Sequence, residues 1–174
     1  MVSSEEINGY TVAYEQEELF FPVWSTGLIA LVLGWAALTR DVPILWLVAL
    51  IPAAGFYYNL PLLETGKPRL GAGQYGLFLE GLGLLQWRSI DAVDIVENEF
   101  RGTLYRDLEI ALKGPVEAAL ILDWRDRSPV RRFMRLPWSW RARGIIRIPL
   151  DVLDKPPREV HAAVVRMWRF YRGH

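Results

Sequence analysis

The sequence predicts an α+β membrane protein: a two-helix transmembrane hairpin, then a small antiparallel sheet domain closed by one C-terminal helix. Three observations carry that reading. Residues 19–39 and 42–63 are runs of 21 and 22 residues without a charged side chain. After residue 63 the chain changes to short apolar runs punctuated by glycine, the clearest of them alternating with period two. Near the C-terminus the apolar residues fall into helical spacing.

The first run begins after an acidic leader, residues 1–18, which holds Glu5, Glu6, Glu15, Glu17 and Glu18 and no base. A secretory signal needs a basic leader, so the chain is expected to be anchored, not secreted. At 1.5 Å per residue each run reaches about 30 Å as a helix, the thickness of the hydrocarbon core. The expected spans are residues 19–39 and 43–63. The short link Thr39-Arg-Asp-Val-Pro43 makes them antiparallel neighbours, with both chain ends on one side. Lys67 and Arg69 follow the second span while the link offers only Arg40, so the base count puts both termini in the cytoplasm. Trp24, Trp46, Tyr57 and Tyr58 supply interfacial anchors. Gly27, Ala30, Gly34 and Ala37 line one stripe of the first span, where another helix backbone can approach closely, and Ala49 and Ala53 match them on the second. The stripe serves either the mutual packing of the two spans or a helix of another protein. Neither span holds an ionisable side chain, which argues against a transporter or channel made by this chain alone.

The remaining elements follow in order. Tyr75–Glu80 and Leu82–Trp87 read as a hairpin around Gly81. Ile90–Phe100 follows with a less clean alternation. Leu104, Arg106, Leu108, Ile110 and Leu112 alternate with Tyr105, Asp107, Glu109 and Lys113, the signature of a half-buried strand. Glu117–Trp124 and Ile145–Leu150 are further strands. Val160, Ala163, Val164, Met167, Trp168 and Tyr171 then mark an amphipathic helix, with Asp154 as its expected cap and Pro156 and Pro157 in the first turn. In the leader, Tyr10, Val12 and Tyr14 alternate as a short strand would, free to fold back on the basic part of the chain or to reach another subunit.

The phrase Gly76-Leu-Phe-Leu-Glu80, then Trp87-Arg-Ser-Ile90 and Val93, resembles the opening of bacterial pleckstrin-homology-like domains. Ile146-Arg-Ile-Pro-Leu-Asp-Val-Leu153 before a final helix is similar to their ending. The resemblance covers about residues 64–174, and members with two N-terminal membrane spans are common in the group. It implies a curved, partly open barrel of seven strands capped by one helix, a place in the bacterial inner membrane, and a binding or scaffolding role. It carries no catalytic residues across.

Ser128–Arg143 departs from that pattern, and it lies within the basic residues 124–147. They hold eight arginines against one acid, Asp126, with Trp124, Phe133, Met134, Trp138 and Trp140 interleaved. The candidate binding residues are Arg125, Arg127, Arg131, Arg132, Arg135, Trp138, Trp140, Arg141 and Arg143. Arginine offers a planar fork for phosphate or carboxylate, and tryptophan an amphipathic ring suited to headgroup depth. The composition therefore fits an acidic groove on a partner protein or an anionic phospholipid surface. Nucleic acid is not expected, because residues 64–174 carry an excess of only five bases.

Chemistry is sparse elsewhere. The absence of cysteine removes thiolate metal sites, disulfides and cysteine nucleophiles. Gly71-Ala-Gly-Gln-Tyr-Gly76 has the spacing of a dinucleotide fingerprint but lacks a strand before it and a helix after it, so it reads as a linker. His161 and His174 stand 13 apart and make no metal pair. Glu97 and Glu99 share a strand face, which reads as a solvated edge. The expectation is a protein with no catalytic residues, no cofactor and no metal. It serves as an accessory subunit or assembly factor docked onto a larger membrane complex, or alternatively as a stand-alone sensor of anionic lipid headgroups.

Overall fold

The computed structural model describes residues 9–15, 17–64 and 66–173, the side chains of residues 17–20, 22 and 100 excepted. The two charge-free runs form α1 (Glu17–Arg40) and α2 (Pro43–Asn59), and α2 runs on into a 3-10 turn, Leu60–Leu63. The link between them is only Asp41 and Val42. Asp41 turns the chain with φ 50°, a left-handed value that aspartate tolerates better than most residues. Pro43 opens α2 in the first turn, where a missing N–H costs nothing. Both helices are long and apolar enough to cross a membrane, and only 11% of Val23–Arg40 and 6% of Pro43–Leu63 is buried within the fold. A core helix of a soluble protein would be covered on most of its faces.

By its internal packing the chain divides into two units. One holds the two long helices together with the later segment Ser128–Arg135. The other gathers, among the described residues, 9–14, 66–127 and 136–173.

The second unit is built on nine strands, among the described residues, in two antiparallel sheets. One sheet has the order β1 (Tyr10–Val12), β2 (Leu70–Gly73), β3 (Gly76–Leu79), β4 (Gly83–Leu85) and β7 (Leu120–Asp123). The other runs β5 (Ile90–Phe100), β6 (Thr103–Leu112), β9 (Ile145–Pro149) and β8 (Ser139–Ala142). Where a partly open barrel of seven strands was expected, the described residues form nine strands in two sheets that do not close into a barrel and each keep two edges. β5 and β6 turn through Arg101 and Gly102, both at positive φ, as a two-residue hairpin demands. α3 (Val116–Ala119) is a single turn before β7, and α4 (Pro157–Tyr171) is the final helix.

The core is aliphatic. Leu77, Leu79, Leu82, Leu85, Ile90, Leu108, Ile110, Ile146, Ile148, Leu150 and Val164 are completely or almost completely buried. Each such side chain contributes about 1.5–3 kcal/mol by leaving water. α4 supplies Val160, Ala163 and Val164 to this core, and Trp168 Nε1 donates to the Ile90 carbonyl at 3.3 Å.

Three sequence expectations change. Gly71-Ala-Gly is not a linker but part of β2, paired with β1 on one side and β3 on the other. A Cβ on Gly71 would stand 3.4 Å from the Phe78 ring and 3.5 Å from the Tyr10 carbonyl, so the glycine fits a crowded strand. The segment Glu117–Trp124 is not one strand, because its first residues wind into α3. Asp154 does not cap α4. Its carboxylate accepts the Ala13 N–H at 3.1 Å, fastening the leader, while Asp154 N–H donates back to the Ala13 carbonyl at 3.0 Å. Tyr10 adds a hydroxyl bond to Glu159 at 3.2 Å on α4, and burial together with that carboxylate raises its pKa.

Candidate functional site

The arginine- and tryptophan-rich stretch is not one loop. Its middle, Ser128–Arg135, belongs to the helical unit, and its two flanks belong to the sheet unit.

In the helical unit, the segment is stitched to the C-terminal end of α2. A helix end leaves its last carbonyls without intrahelical donors. The Arg135 N–H donates to the Tyr58 carbonyl at 2.9 Å, and the Tyr57 hydroxyl donates to the Val130 carbonyl. Arg131 pairs with Glu64 at 3.0 Å, and its own N–H closes a turn onto the Ser128 carbonyl at 2.8 Å. Arg132 and Arg135 carry no ion pair among the described residues. Their positive charge suits the negative end of a helix. The segment also exposes Val130, ahead of these arginines, and Phe133, between them and 74% accessible. Trp24 lies 6.5 Å from Phe56, one residue before Tyr57, so an aromatic group marks the same end of the hairpin.

The two helices meet along the small-residue stripe, but unevenly. A Cβ on Gly27 would collide with the Phe56 ring at 2.9 Å, and Ala37 and Ala49 are buried. Ala30 is half-buried, and Gly34 has nothing within 4 Å of where its Cβ would lie.

In the sheet unit, most of the flanking arginines already have acids. Arg125 contacts Asp123 at 2.7 Å and Glu117 at 2.8 Å. This pairing lowers the Asp123 carboxyl to about 2, chiefly through the Arg125 hydrogen bonds, and lowers Glu117 as well. Arg141 pairs with Glu109, and Arg147 with the buried Asp107, which also accepts from Asn98 at 2.9 Å. The Asp107 hydrogen bond raises Arg147 further. Arg127 lies along Gly81, its Cδ 3.5 Å from where a Cβ would be. Trp138 is a core residue, not a surface anchor. It is buried, donates Nε1 to the Glu80 carbonyl at 3.0 Å, and meets Trp140 edge to face at 5.5 Å. Trp140 and Arg143 face an open cleft of about 750 Å³ between the β8–β9 turn and the Lys113–Glu117 turn. A further charge sits inside the unit: Arg69 is wholly buried, ion-paired to Glu80 and stacked 4.8 Å over the Tyr14 ring.

The nine candidates thus separate into three on the hairpin end (Arg131, Arg132, Arg135), three salt-bridged or packed flanks (Arg125, Arg127, Arg141), one core residue (Trp138) and two at the cleft (Trp140, Arg143). Of the residues that hold the segment in place, Tyr57 and Tyr58 were legible only as interfacial aromatics, and Glu64 gave no signal in the sequence. Among the described residues no trio of His, Asp and Glu is grouped to hold a metal ion. Comparison with family models, curated proteins and solved structures gave no match.

Proposed function

We propose that this is a non-catalytic, membrane-anchored protein of the pleckstrin-homology-like kind. On this reading it docks as an accessory subunit or assembly factor onto a larger complex of the bacterial inner membrane, with both termini in the cytoplasm. The observation that carries the proposal is where its apolar surface goes. Phe21, Leu28, Leu31 and Trp35, along one face of α1, and Leu47, Leu50 and Ile51, along one face of α2, are left uncovered by the chain itself. Such a surface is stable in lipid and a liability in water. In the sheet unit, the edge strand β7 exposes Ile121 and Leu122, with Trp124 beside it, each about half accessible. Open apolar edges invite pairing, and proteins that keep them generally cover them with a partner. A stand-alone lipid sensor is the second reading, favoured by Arg132 and Arg135 at the end of α2.

The test is gentle detergent extraction of the tagged chain, followed by sizing and mass spectrometry. The expected result is a stoichiometric large complex that loses this chain on Ile121→Asp or on Gly34→Leu. The latter has room for its side chain, so the hairpin itself stays formed. A lone chain of about 20 kDa overturns the subunit reading.

A further inference from the structure

The segment Ser128–Arg135 deepens the membrane reading, on which this inference rests. We propose that it is a headgroup clamp for anionic phospholipid: Arg132 and Arg135 take the lipid phosphate while Val130 and Phe133 enter the acyl boundary.

The argument starts from position. The segment is tied to the end of α2 by Arg135 N–H on the Tyr58 carbonyl and by the Tyr57 hydroxyl on the Val130 carbonyl. If α2 spans the bilayer, that end and everything bonded to it sit at the membrane–water boundary. Composition follows position. Exposed Val130 and Phe133 alternate with arginines over a few residues, which suits a surface that is apolar below and anionic above. Tyr57 and Tyr58 stand where interfacial aromatics are enriched.

Ion pairing completes the case. Glu64 pairs with Arg131, while Arg132 and Arg135 carry no ion pair among the described residues. Glu15, just before α1, and Glu17 and Glu18 at its start belong to the same unit, so the free guanidinium forks, and not a net positive charge, are what would select phosphate. The opposite end of the hairpin carries Arg40 and Asp41, which cancel. A guanidinium fork binds a phosphate through two parallel N–H donors, and near a headgroup layer it is little screened. The partner-protein alternative has less on its side here, since the segment's Arg135 N–H and Val130 carbonyl are taken by α2 and the Arg131, Arg132 and Met134 N–H groups by its own turn.

The experiment uses the full chain in bilayer nanodiscs of phosphatidylcholine with a minor fraction of phosphatidylglycerol. Lipid retained on the released protein is read by native mass spectrometry. The expected result is preferential retention of phosphatidylglycerol, reduced about fivefold for each arginine removed and so about 25-fold in Arg132→Gln/Arg135→Gln. Arg143→Gln, in the sheet unit, is expected to leave retention unchanged. Equal retention of the two lipids, equal loss in the Arg143 variant, or complete displacement by inorganic phosphate overturns the clamp. So does restoration of the retained mass by a bound protein in place of lipid. Alkaline carbonate extraction of the same chains separates the two readings. A resistant chain whose double variant keeps phosphatidylglycerol overturns the clamp alone, and a chain stripped from the membrane overturns the anchor too.

Discussion

Helices α2 and α4 are of similar length, 17 and 15 residues, and treat their surroundings in opposite ways. α4 is divided lengthwise: Val160, Ala163 and Val164 are buried, while Arg158, Arg166 and Arg169 stand in solvent. α2 has no charge anywhere, and Ala49 is its one buried side chain. The first helix needs a neighbouring sheet to satisfy one face and water for the other. The second asks for an apolar medium all round. What distinguishes them is how apolar residues are distributed around the axis, more than how many there are.

The largest expected effect breaks this comparison outright. Val164→Asp places an unpaired carboxylate in the sheet core, a cost on the order of 4 kcal/mol or more, enough to unfold a marginally stable unit. Amide dispersion in two-dimensional NMR is expected to collapse. Leu50→Asp, on α2, is expected to leave the sheet unit's spectrum intact and to weaken retention in membranes by about 3 kcal/mol of insertion free energy. Equal damage to the sheet unit from both would erase the distinction.

An intermediate effect sharpens the comparison within the sheet unit. Glu80→Gln leaves Arg69 buried without its carboxylate and is expected to cost about 2–3 kcal/mol in chemical denaturation. Arg69→Met with Glu80→Gln is expected to recover most of it. Glu64→Gln, at the half-exposed pair with Arg131, is expected to change stability by less than about 1 kcal/mol.

The smallest effect is a titration. Arg125 holds the Asp123 carboxyl down at about 2, below its unfolded value. The pairing therefore adds stability above the ordinary carboxylate range and loses it as pH falls through about 2. Carboxyl NMR is expected to show Asp123 ionised to about that pH, and Arg125→Gln to return it to about 4. A normal midpoint in the unaltered chain would remove the ion pair from the account.

Elements set by local pattern were legible in the sequence. The charge-free runs became α1 and α2, the alternation through Leu108 and Ile110 became β6, and Tyr10 and Val12 became β1. Elements set by close approach were not. β2 hides in Leu-Gly-Ala-Gly, whose two glycines, one of them (Gly71) crowded by Phe78 and Tyr10, remove the usual signal of a strand. β8 holds Ser139, Trp140, Arg141 and Ala142, all exposed, so no alternation of apolar and polar residues announces it among the surrounding arginines. The candidate site suffered most. Counting charge along the chain made residues 124–147 look strongly basic, yet Glu64, Glu109, Asp107 and Glu117 arrive from elsewhere to neutralise half of it. Asp154 shows the same limit: a plausible cap by spacing, it was claimed instead by a backbone 141 residues away.

The bond from Tyr57 to Val130 spans 73 residues, and the pair Glu64–Arg131 spans 67. The helical unit is therefore finished by a piece of chain made long after the hairpin has left the ribosome. Strands β2 to β7 must all be synthesised in the interval, before the segment can be stitched to Tyr57 on α2 and to Glu64 just beyond it. The hairpin exists before its last component does, and the late stitch orders the assembly in time: helices first, closure afterwards.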